Sequence, residues 1–150
     1  MAADARWVRD LVKTACTRPG QRVVEVTHGQ DVRAAVGQEQ PDVVVLDMQI
    51  ANMGGIAVSI DLRLEAAAGR IPDVSILLLL DREADRFLAK RADADAELVK
   101  PVDPGTLRRT VERLLAAEEP LVVDDEMEEE EEDEDSDEAA STEEPAAAEG

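Results

Sequence analysis

The stretch PDVVVLDMQIANMGG, Pro41 to Gly55, decides the fold. Val43, Val44, Val45 and Leu46 form a continuous apolar run between the helix-breaking Pro41 and the charged Asp47. A β-branched run this short reads as a strand, and one without polar alternation suits a strand covered on both faces of a parallel sheet. Asp47 then stands at the carboxyl end of that strand, the edge at which open α/β sheets bind their ligands. Taken alone, Asp47 is a polar strand terminus. Its meaning depends on what the rest of the chain brings to the same edge.

Working outward, Val74 to Leu80 is a second buried run, introduced by Pro72. Ala96 to Val99 is a short third strand ending at Lys100-Pro101, and Val23, Val24 and Val26 form a strand closed by His28-Gly29. Between them lie helical patterns. Trp7, Val8, Leu11, Val12 and Ala15 recur at helical spacing over residues 5–17, with Trp7 expected to anchor the helix on the sheet. Pro19 and Gly20 end that helix. Further helices are predicted at 30–38, 56–68 and 84–92. A last one is capped by Asp103 or Thr106 and carries Leu107, Val111, Leu114 and Leu115 on its apolar face. Alternating strands and helices imply right-handed βαβ units and a doubly wound parallel sheet. The count to this point is four strands and five helices, beginning with a helix. The fifth strand is expected at the other end, in PLVVDDE at residues 120–126.

Composition is consistent with this plan. The net charge is −20, but residues 118–150 hold 18 of the 36 acidic residues and no Lys or Arg. The rest of the chain is nearly neutral, so direct binding to nucleic acid is disfavoured, because phosphate backbones select Lys and Arg clusters. Trp7 and Phe87 are the only aromatic residues, so the core must be aliphatic. Cys16 is the only cysteine, which excludes an internal disulfide. No apolar run approaches the roughly 20 residues of a membrane span. A cytoplasmic protein is expected. The domain division is expected at 1–126 for the folded part and 127–150 for a disordered acidic tail, whose composition buries too little apolar surface to order itself.

Three strand ends therefore bring charge to one edge: Asp47, Asp124-Asp125 and Lys100. Carboxylates gathered this closely repel one another unless a cation lies among them, and a hard divalent ion such as Mg²⁺ matches oxygen ligands. A lysine beside it would balance an incoming phosphoryl group. The chemistry indicated is phosphoryl transfer to a carboxylate.

These motifs together resemble the response-regulator receiver domain, the CheY-like fold. LVVDDE at Leu121 to Glu126 resembles that family's first strand and acidic pair. PDVVVLDMQIANMGG resembles its third strand with the phosphoacceptor, and ELVKP at Glu97 to Pro101 resembles its fifth strand with the lysine and a proline whose peptide bond is commonly cis. The order differs, because the family's first strand precedes the first helix. The expectation is a circularly permuted, five-stranded flavodoxin-like sheet, with residues 121–125 lying between 23–27 and 43–47.

The resemblance implies that Asp47 accepts a phosphoryl group, that Lys100 contacts it, and that Mg²⁺ is held by Asp47, Asp124, Asp125 and the Gln49 backbone carbonyl. It also implies a histidine kinase or phosphotransfer protein as donor and an unidentified protein as output, with no enzymatic turnover beyond self-phosphorylation and its reversal. Two departures bear on switching. The family's Thr or Ser at the end of the fourth strand is replaced by Leu79, Leu80 or Asp81, and its switch aromatic is replaced by Glu97. The alternative is a phosphorylation-independent pseudo-receiver that serves as an interaction module. A dehalogenase-type hydrolase is disfavoured, since Asp47 is followed by Met48 and Gln49 rather than by a second aspartate two residues on.

Overall fold

The two continuous apolar runs form the middle of a parallel sheet. In the computed structural model, which describes residues 1–118, β1 (Val43–Asp47) pairs with β2 (Ser75–Leu80), and β2 pairs with β3 (Ala96–Val99). The register runs from Val43 opposite Ser75 to Asp47 opposite Leu79, then from Leu77 opposite Ala96 to Leu80 opposite Val99. Alternate residues of each strand enter opposite faces. Val44, Leu46, Ile76, Leu78 and Leu80 pack with α2 (Val32–Glu39), α3 (Gly55–Ala67) and α4 (Arg86–Arg91). Val45, Leu77 and Leu79 pack with α1 (Arg6–Cys16) and α5 (Pro104–Glu118). Both faces are covered, which is why these strands read as uninterrupted apolar runs. Asp103 caps α5, its Oδ2 accepting the Thr106 N–H at 2.8 Å.

The position beside β1 is filled by the start of the chain. Ala2 lies in parallel register with Val26 on one side and Leu46 on the other. The Ala2 N–H donates to the Val45 carbonyl at 2.8 Å, and the Asp47 N–H donates to the Ala2 carbonyl at 2.9 Å. On the far side the Ala3 N–H donates to Val26 O at 3.1 Å, and the Val26 N–H donates to Met1 O at 2.9 Å. This corrects the permuted order. The slot assigned to residues 121–125 holds Met1 to Ala3, so the family's first strand comes first here too. Ala2 and Ala3 suit the sheet interior because each is small and fully buried. Residues 121–126, the 126/127 boundary and the tail lie outside the described residues.

The expected strand at 23–26 is also corrected. This segment carries a single bridge, at Val26, because its neighbour Met1–Ala3 is too short to support a regular ladder. Among the described residues the sheet proper has three strands, in the order β1-β2-β3. A cleft of about 320 Å³ lies beyond Met1, among Val23, Val24, Val43 and Val44, at the opposite end of the sheet from Asp47.

That opposite end is held by Arg63 of α3. Its guanidinium donates to Asp73 Oδ1 and Asp95 Oδ2, both at 2.6 Å, and to the carbonyls of Asp93 at 2.9 Å and Val74 at 3.1 Å. One side chain thereby ties α3 to the segments that lead into β2 and β3. No helix among the described residues is long and apolar enough to cross a membrane.

Candidate functional site

Main-chain bonds continue past the strand ends and fix the backbone on which the site is built. The Met48 N–H donates to Leu79 O at 2.9 Å, and the Lys100 N–H donates to Leu80 O at 2.8 Å. The Lys100–Pro101 peptide is cis. Gly55 opens α3 so close to β1 that a Cβ there would lie 2.3 Å from the Asp47 carbonyl oxygen. Gly29 plays a similar part for the 48–55 loop, where a Cβ would lie 2.0 Å from Met53 O.

On this frame three side chains and Gln49, through both its side chain and its backbone N–H, form a closed ring. Lys100 Nζ donates to Asp47 Oδ1 at 2.6 Å and to Asp81 Oδ1 at 2.8 Å. The Gln49 backbone N–H donates to Asp47 Oδ1 at 3.2 Å, and its side-chain Nε2 donates to Asp81 Oδ2 at 2.7 Å. Asp47 is 1% exposed, so its charge depends on Lys100 for compensation. Burial is the largest single influence on the Lys100 ammonium and acts to lower its pKa. The hydrogen bonds to Asp47 and Asp81 together outweigh it, so the net shift is upward. The hydrogen bond from Lys100 holds the Asp81 carboxyl below its ordinary value against the opposing effect of burial, with Gln49 adding to the depression.

The expected pairing of Asp47 with Lys100 is therefore present. Asp124 and Asp125 lie outside the described residues. The first strand ends at Ala3, which has no side-chain oxygen, and is followed by Asp4, which is exposed. Because Ala2 is in register with Leu46, Asp4 lies one position further along the shared edge than Asp47. Besides Asp81, both of whose oxygens are taken by Lys100 and Gln49, the described residues at this edge offer the carboxylates of Asp47 and Asp4 and the Gln49 carbonyl as oxygen donors for a Mg²⁺ ion. No group of three or more His, Cys, Asp or Glu side chains converges among the described residues. Two carboxylates and a carbonyl are chemically suited to a hard ion that keeps several waters.

Sequence reasoning missed Asp4, because MAAD shows none of the β-branched pattern that marks a strand. It left Asp81 as one of three candidates. It also misplaced Trp7, which is 57% exposed rather than buried as an anchor. Val8, Val12 and Ala15 supply the buried face of α1, and the indole instead lies 5.9 Å from Lys100 Nζ. Glu97, in the place of the family's aromatic, accepts from Arg86 Nη1 at 3.1 Å.

Comparison with known proteins agrees with this architecture. The chain is 36% identical over 97 residues to protein PilH of Pseudomonas aeruginosa, a match spanning 65% of this chain and 79% of PilH. It is 29% identical over 112 residues to the transcriptional regulatory protein GltR of the same organism, and spans 46% of that protein. Among solved structures, the receiver domain of a signal transduction histidine kinase from Syntrophus aciditrophicus superposes with a TM-score of 0.68 at 20% identity, covering 79% of this chain and 89% of that one. Chemotaxis protein CheY4 of Vibrio cholerae gives 0.65 at 23% identity, covering 75% and 93%. At these identities the structural likeness concerns the fold. Residues 1–112 match the response regulator receiver domain in one run that starts at Met1, and the chain belongs to that family.

Proposed function

We propose that this receiver accepts a phosphoryl group on Asp47 and signals through contact with a protein partner. The observation that carries this reading is the 2.6 Å contact between Lys100 Nζ and Asp47 Oδ1 at the C-terminal edge of the sheet. A carboxylate oxygen of Asp47 would form the new O–P bond. The donor's P–N or P–O bond would break, and the leaving group would keep the electron pair. Lys100 would follow the charge onto the phosphoryl oxygens. Mg²⁺ belongs to this reading, with Asp47, the Gln49 carbonyl and Asp4 as protein ligands in place of Asp124 and Asp125. When bound, it offsets negative charge on the transferring group. The donor would be a histidine kinase or phosphotransfer protein in the cytoplasm, and the output a protein. The near-neutral charge outside the acidic segment argues against direct contact with nucleic acid.

A second reading, the phosphorylation-independent interaction module, is favoured by a different observation. Asp81 already occupies Lys100 from the other side, at 2.8 Å. Incubation with Mg²⁺ and a small phosphodonor, followed by intact-mass analysis, separates the two. The first reading expects the added mass of one phosphoryl group, lost in Asp47→Asn. Unchanged mass in the wild-type chain would favour the second.

A further inference from the structure

We infer that Asp81 is a built-in competitor for the anion position beside Asp47, so that a tetrahedral oxyanion enters only by displacing the Asp81 carboxylate from Lys100 and Gln49. The inference rests on the reading of Asp47 as phosphoryl acceptor and adds a means by which access to it is regulated.

The donors that an oxyanion on Asp47 would need are already engaged. Lys100 reaches both carboxylates, and its side chain is 12% exposed. The Gln49 amide is turned toward Asp81 at 2.7 Å rather than toward open solvent. Asp47, Asp81 and Lys100 together carry a net charge of −1, which disfavours an anion at short range. Removing the Asp81 charge would bring that sum to zero and free one Lys100 donor and the Gln49 amide together.

Asp81 is also placed to move. It is the first residue after β2 and precedes the short 3-10 turn Glu83–Asp85. The hydrogen bonds of its neighbour Arg82 go to Asp85, at 3.1 Å, so Arg82 acts on Asp81 through its charge alone. Withdrawal of Asp81 would break its bonds to Lys100 and Gln49 while leaving the β2 ladder intact. A carboxylate that merely completes the coordination of Lys100 would behave differently. Its removal would cost stability and admit no anion.

The test uses the full chain with Mg²⁺ and beryllofluoride, read by the fluorescence of Trp7, the only tryptophan, and by the Gln49 amide shifts. Asp81→Asn and Asp81→Thr are expected to bind at least about tenfold tighter than wild type, the gain from releasing a charged competitor. Asp47→Asn in either background is expected to abolish binding. Thermal melts establish that each variant is folded. Wild type binding as tightly as both variants would overturn the competitor role and leave the Asp47 reading standing. Absence of binding in every folded variant would overturn both. Binding that survives Asp47→Asn would overturn the competitor role, since the anion would then lie elsewhere.

Discussion

Lys100 reaches Asp47 across the end of an intervening strand: β1 and β3 are not neighbours, and β2 lies between them. A buried carboxylate is thus compensated from two strands away. Lys100→Ala would leave Asp47 buried without a cation, which typically costs about 3 kcal/mol. Urea unfolding at neutral pH should show this loss, and Asp47→Asn combined with Lys100→Ala should recover most of it. Additive losses in the double variant would refute the coupling.

Gly55 is expected to tolerate no side chain. A Cβ there meets the Asp47 carbonyl oxygen at 2.3 Å, with strand backbone rather than a flexible side chain as the obstacle. Gly55→Ala should destabilise the fold by about 1–3 kcal/mol, as overpacking does. It should also shift the Asp47 and Met48 amide resonances. An unaltered melt with unmoved resonances would contradict the packing described.

Trp7 separates two views of α1. A buried anchor would cost about 3–5 kcal/mol on truncation to Ala. An exposed indole near an ammonium is worth about 0.5–1 kcal/mol. The smaller loss is expected for Trp7→Ala, together with a change of tryptophan emission in Lys100→Met.

Glu65 gives a pH signature remote from the site. The hydrogen bond from Arg70, together with the charges of Arg70 and Arg33, lowers its pKa to about 2 against the opposing effect of desolvation. Because the folded value lies below the unfolded one, its contribution to stability is complete above the usual glutamate range and is lost as pH falls through about 2. Carboxyl carbon shifts should show this low midpoint. Arg70→Ala should move it back toward the ordinary value.

What the sequence made legible follows from what each segment buries. β1 and β2 were readable because coverage on both faces demands unbroken apolar runs, and the helices because their apolar residues recur on one side. Met1–Ala3 was not, because alanines enter a sheet interior by smallness, which leaves no pattern. The β-branched pattern expected of a first strand stands instead at Leu121–Val123. Asp47 and Lys100 were recognisable from their places at strand ends. Asp81 was not resolved from Leu79 and Leu80, since a run of leucines carries no register of its own. Only the pairing of Leu80 with Val99 shows which residue comes first beyond the ladder.

The Arg63 cluster has a mechanical consequence for the whole domain. By stapling α3 to the entrances of β2 and β3, it binds the sheet along one margin, as a spine binds pages. Displacement provoked at the Asp47 end meets this restraint at the far end of β2 and β3, so the segments after those two strands should travel further than the segments before them.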